Sequence, residues 1–199
     1  RYLFANCSGL KEITIPDTIT TIKESAFRDC ANLTDIDFSI GVKTIGDRAF
    51  ANCTSLAEVE IPANIETIGI RAFQKCTKLE KVTLNEGLVT LGERSFGDTK
   101  ISSIYIPASL NDVSLYDRVG VFENCASLND ITFGEGMTAI PRYLFANCSG
   151  LKEITIPDTI TSIKENSFRD CANLTDIDFS TSVKTIGDSR SEEHTSELQ

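Results

Sequence analysis

The 199-residue chain has no tryptophan, one histidine and one methionine, and it is short of positive charge, with 19 Lys+Arg against 29 Asp+Glu. Each scarcity removes a class of function. A formal net charge of −10 argues against nucleic-acid binding, because neutralising phosphates supplies most of that affinity and needs a basic stripe. No apolar run approaches the roughly 20 residues of a membrane-spanning helix, so no membrane insertion is expected. The single histidine, His194, lies in the last ten residues, which leaves no imidazole elsewhere for a triad, a metal site or a general base. There is no glycine-rich phosphate loop. Seven cysteines are present, but none stands in the close pair that converges zinc ligands. Carboxylates are plentiful, yet paired-carboxylate hydrolysis needs them to converge in a cleft, which residues repeating at one register do not do. The expectation is therefore no enzyme, no catalytic residue, no metal and no cofactor.

What is present is ordinary globular material, 41% hydrophobic and 24% charged, enough to bury a sizeable core. Residues 190–199 (RSEEHTSELQ) resemble the translation of a common sequencing adapter. The repeat pattern also breaks there: residues 42–49 read VKTIGDRA, whereas 183–190 read VKTIGDSR. Residues 189–199 are accordingly set apart as a non-native tail. Without the one Arg and three Glu of residues 190–199, the charge balance is 18 against 26, or −8.

The rest of the chain keeps a beat. Phenylalanine falls at 4, 27, 50, 73 and 96, each 23 apart, and after one step of 26 at 122, 145 and 168; cysteine follows three residues later at 7, 30, 53, 76, 125, 148 and 171, with Thr99 in the remaining place. A fixed period of this length decides architecture before any local reading. The skeleton is clearest in Leu56, Val59, Ile61, Pro62, Ile65, Ile68, Ala72, Phe73 and Cys76. Residues 1–47 match 142–188 at all but five positions, the mark of a duplicated block.

Val59 and Ile61 alternate with Glu58 and Glu60, the period-2 signature of a strand with one buried face. Proline then closes the strand at 16, 62, 107 and 157. In residues 65–76 the apolar spacing is three and four, which predicts a short extended piece followed by a helical turn. One such unit cannot bury its Leu, Ile and Phe alone, so units must stack, each covering the next. The cysteines should then form a column of small buried, reduced side chains, pointing in parallel and too far apart at Cβ to pair.

The pattern L-x-x-I-x-I-P-x-x-I-x-x-I-x-x-x-A-F-x-x-C resembles the 23-residue leucine-rich repeats of the BspA-like (Treponema pallidum-type) family, over residues 1–188. The resemblance implies an α/β solenoid, with a parallel β-sheet on the inner face and short extended or helical segments on the outer face. Residues 1–188 read as one solenoid of about eight repeats, irregular at 97–122. It further implies an extracellular or cell-surface protein used in adhesion, and a protein partner such as a host or cell-surface protein.

The partner site is sought on the strand faces that point to solvent. These positions hold Glu12, Asp35, Asp37, Glu58, Glu60, Asp130, Glu153, Asp176 and Asp178, nine carboxylates, against the single Lys81, with Tyr105 as an aromatic anchor in mid-sheet. Like charges stacked at ~4.8 Å cost a few tenths of a kcal/mol per exposed pair, so the face is either merely solvated or a surface for a basic patch. Calcium bridging of adjacent carboxylates is a weaker alternative. The insertion at 107–122 is expected to bulge beside the strand of Ser103 and Tyr105, with Tyr116, Asp117 and Arg118 at its tip. The favoured function is a protein-interaction module of a larger surface or secreted adhesin-like protein. The alternatives are a structural spacer or stalk, or an intracellular repeat scaffold with no ligand of its own. Apolar coil edges at both ends predict end-to-end self-association of the polypeptide.

Overall fold

The computed structural model describes residues 2–188, so the 189–199 tail lies outside the described residues. Each coil carries two short strands. The first four coils hold β1 (Glu12–Thr14), β2 (Thr21–Ile22), β3 (Asp35–Asp37), β4 (Thr44–Ile45), β5 (Glu58–Ile61), β6 (Thr67–Ile68), β7 (Lys81–Leu84) and β8 (Thr90–Gly92). The last four hold β9 (Ser103–Ile106), β10 (Asp112–Ser114), β11 (Asp130–Phe133), β12 (Ala139–Ile140), β13 (Glu153–Ile156), β14 (Ser162–Lys164), β15 (Asp176–Phe179) and β16 (Thr185–Asp188).

All pairing is parallel and between equivalent positions of neighbouring coils. The odd strands form one row, paired as β1–β3, β5–β7, β9–β11 and β13–β15. The even strands form a second row, a five-stranded sheet from β2 to β10 and a three-stranded sheet from β12 to β16. The sequence pointed to one sheet, and the solenoid has two rows of strands. A break at one place in every coil separates the two strands: Pro16, Pro62, Pro107 and Pro157 follow the first strand in alternate coils, and Ser39, Asn85, Gly134 and Ser180 hold the same place in the others. Burial alternates along the odd strands, exposed at Glu58 and Glu60 and buried at Val59 and Ile61.

The core between the rows is a set of ladders. Phe4, Phe27, Phe50, Phe73 and Phe96 stack nearly parallel with ring centroids 5.3–5.4 Å apart. Phe122, Phe145 and Phe168 continue the column at 5.5–5.8 Å. Offset stacking of this kind adds about 0.5–1.5 kcal/mol per pair beyond area burial.

No helix occurs among the described residues, so the α/β description and the helical outer segments are corrected to an all-β solenoid with turns on its outer side. The reason lies in where the backbone donors go. The N–H groups of Ser25, Phe27 and Asp29 donate to the carbonyls of Asp47, Ala49 and Ala51 one coil on, at 2.8–2.9 Å, instead of four residues back along the chain. The intervening N–H groups of Ala26 and Arg28 make single turns to Lys23 and Ser25, three residues back. Left-handed residues two after each repeat phenylalanine, and two before all of them but Phe122, such as Arg71 (φ 59°) and Lys75 (φ 61°), break any longer helical run. The apolar spacing of three and four is real; it marks consecutive single turns tied sideways.

Candidate interaction site

The odd row places every strand residue singled out from sequence on solvent. Glu12, Asp35, Asp37, Glu58, Glu60, Lys81, Tyr105, Asp130, Glu153, Asp176 and Asp178 are all exposed, while the residues between them face the core. The ladder sets like charges side by side, with Glu12 opposite Asp35 and Glu153 opposite Asp176. Lys81 is no isolated cation: its Nζ lies 3.6 Å from Glu58 Oε2, with both side chains more than 70% exposed. Such a pair contributes ~0–1 kcal/mol and leaves the face strongly negative. The face divides into an acidic stretch over β1, β3 and β5, a neutral window at Thr83, Ser103, Tyr105 and Thr132, and a second acidic stretch over β11, β13 and β15.

Tyr105 stands in the window and is fixed there. Its hydroxyl donates 2.8 Å to Glu86 Oε1, and the same carboxylate accepts the N–H of Ala108 at 3.0 Å and of Ser109 at 3.1 Å. Burial pushes the Glu86 carboxyl up, but the hydrogen bonds from Tyr105, Ala108 and Ser109 outweigh it and hold the group below its ordinary value. The hydrogen bond to Glu86 raises the Tyr105 phenol. A ring locked in this way loses little conformational entropy on binding. Among the described residues no group of three or more acidic, cysteine or histidine side chains is placed to hold a metal ion.

The insertion is not beside the Tyr105 strand. Strand β10 keeps its ladder with β8, pairing Ser114 with Gly92, and the four extra residues fall between Ser114 and Phe122 on the side of the outer turns. Glu93 N–H donates to Ser114 O and Arg94 N–H to Gly120 O, so residues 115–119 are looped out between two consecutive ladder bonds. Tyr116 is 76% exposed and Arg118 is exposed, as expected of tip residues. Asp117 is pinned: its Oδ2 accepts from Arg71 at 2.5 Å and from Arg94 at 2.8 Å. Beneath the loop, Glu93 is fully buried, and its Oε2 accepts the N–H groups of Tyr116, Asp117 and Arg118 at 2.7, 2.7 and 3.0 Å. Arg94 also donates to Glu123 through Nε and Nη2, and these hydrogen bonds, together with the nearby charges of Glu123, Asp117 and Glu93, raise its pKa. Glu86, Glu93, Arg71 and Arg94 were not found from sequence. The sole signal for Glu93 was an acid standing at the coil just before the insertion.

The cysteine column is packing. The thiols of Cys30, Cys53, Cys76, Cys125 and Cys171 donate to the carbonyl of a phenylalanine in the preceding coil at 3.0–3.4 Å. Thr99 fills the vacant place, donating 2.8 Å to Phe96 O and lying 3.3 Å from Cys125 Sγ. All seven cysteines are free. Burial pushes the Cys76 and Cys148 thiols up to about 12, far from the reactive thiolate.

The profile of the BspA type leucine-rich repeat region (6 copies) matches residues 1–116 and 118–196. Among solved structures, the pneumococcal vaccine antigen PcpA is similar with a TM-score of 0.60 and 23% identity, over 89% of this chain and 47% of that one. The Treponema pallidum leucine-rich repeat protein TpLRR gives 0.53 and 22%, over 89% and 73%. A leucine-rich repeat protein from Bacteroides ovatus gives 0.52 and 24%, over 89% and 57%. Curated proteins offer no match. The chain thus spans little more than half of the Bacteroides structure, and at these identities the likeness concerns the fold.

Proposed function

Because the chain belongs to the BspA-type leucine-rich repeat family, we propose that it is a non-enzymatic protein-interaction module of a larger surface or secreted, adhesin-like protein. Its docking face is the odd-strand row, and its partner is a host or cell-surface protein that presents a basic patch. The observation that carries this reading is the in-register display of nine exposed carboxylates around a tyrosine locked by Glu86. A negative field of this kind accelerates encounter with a basic partner, and a rigid aromatic at its centre is the residue type that most often dominates binding energy. Placement outside the cell draws on the character of the family. The free cysteines are compatible with it, because five of the seven are buried and are unavailable to oxidants.

The test is capture by the immobilised chain from a panel of basic secreted and surface proteins, repeated with Asp35→Lys, Glu58→Lys and Glu60→Lys combined. Binding lost on reversal supports the face. Binding unchanged for every captured protein would remove it, and a chain that captures nothing would leave the spacer or scaffold reading.

A further inference from the structure

The loop at 115–119 behaves as a strap over a site of definite chemistry. Arg71 and Arg94 stand at equivalent places in successive coils, each with left-handed backbone (φ 59° and 53°) two residues before a stacked phenylalanine. Two guanidinium groups held one coil apart, ~4.8 Å, repel each other unless an anion lies between them. The anion is the Asp117 carboxylate, one oxygen of which takes both cations, at 2.5 and 2.8 Å. With Asp117 in place the arginine side chains are only 16% and 21% exposed, while Asp117 itself is 40% exposed and so reachable from solvent. The carboxylate is delivered by the four-residue insertion between Ser114 and Phe122. That segment is fastened through three N–H groups to Glu93, whose second oxygen is buried with no hydrogen-bond partner.

We propose that Arg71 and Arg94 form a carboxylate-binding site for an acidic segment of a protein partner, and that Asp117 is its built-in occupant, which such a segment displaces. The site lies on the outer-turn side, away from the acidic sheet face, and does not depend on that face having a ligand. Glu123 engages Arg94 from another direction and keeps it oriented when Asp117 leaves. Because Asp117 is tethered, its effective concentration is in the millimolar range, so an external carboxylate competes poorly until the strap is released or several acids bind together. The overall negative charge of the chain opposes the same ligand, which makes low ionic strength the condition in which the site is read.

The experiment uses the full chain and a hexaglutamate peptide at ~20 mM salt, where screening is weak. Asp117→Asn is expected to bind the peptide at least tenfold more tightly than the parent chain. Adding Arg71→Gln and Arg94→Gln should abolish the gain. Thermal melting verifies that each variant is folded. Asp117→Ser is a second version of the release, in case the asparagine amide keeps the strap closed. A folded Asp117→Asn or Asp117→Ser chain that binds no better than the parent overturns the proposal, as does a gain that survives loss of both arginines.

Discussion

Individual side chains in this chain are read by which column they join. Cysteine three residues after phenylalanine is legible from spacing alone as packing, and the structure gives the cause: the buried thiols of Cys30, Cys53, Cys76 and Cys125 each donate to a phenylalanine carbonyl one coil back. The Cys76 and Cys148 thiols are raised by burial from an ordinary 9.0 to about 12, and Cys171 to about 11. Between pH 9 and 12 the unfolded thiols lose their protons while the folded ones keep them, so stability should be full below pH 9 and fall as pH rises through this window. Denaturant midpoints measured from pH 8 to 11 check the slope. In the native state Cys53, Cys76 and Cys148 should also resist an aromatic disulfide reagent until the chain unfolds. Phe73, fully buried between two rings, should cost about 3–5 kcal/mol when changed to alanine. Phe4, 45% exposed at the end of the column, should cost far less, and chemical denaturation of the two variants compares them. Glu93 escaped sequence reasoning, and Asp117 was read only as a loop tip, because their roles depend on where a four-residue insertion folds back, which periodicity does not contain.

At the scale of the coil, the strand half was legible and the outer half was misread. Strands β5 and β7 alternate as their sequences do, and proline follows the first strand in alternate coils, as Pro62 follows β5. The outer half repeats apolar residues at three and four, and an isolated segment with that spacing would be helical. Stacking changes the competition, since a neighbouring coil offers carbonyls to Ser25, Phe27 and Asp29 and removes the donors a helix needs. A signal for this was available in the Asn or Asp two residues after most phenylalanines, at 6, 29, 52, 98, 124, 147 and 170, residue types that tolerate left-handed backbone. Glycine is required where coils approach most closely: a Cβ on Gly92 would lie 2.3 Å from Ile70 N. The far-ultraviolet circular dichroism spectrum should accordingly show a single β-type minimum. Paired minima at 208 and 222 nm, the helical signature, would contradict the turn-built outer side.

At the scale of the whole molecule, regular stacking leaves apolar side chains exposed at both ends of the described solenoid. One end exposes Leu3 (76%) and Phe4 (45%), the other Phe179 (45%) and Ile186 (67%), faces of the same kind that neighbouring coils cover inside the stack. We propose that the 199-residue polypeptide associates end to end through these apolar faces, a head-to-tail contact that extends into open chains wherever its rotation does not close a ring. Light scattering should then give a mass that climbs with concentration, and a constant monomer mass would refute it. The acidic row and the arginine pair under the strap lie on different sides of the solenoid, so the two partners proposed above would meet separate surfaces. The most direct test of the acidic row is the hydrogen-exchange footprint of the chain bound to a partner it captures. Protection concentrated in residues of β1, β3, β5, β7, β9, β11, β13 and β15, and lost at high salt, is the predicted result. A footprint confined to the outer turns, with these strands unchanged, would contradict it.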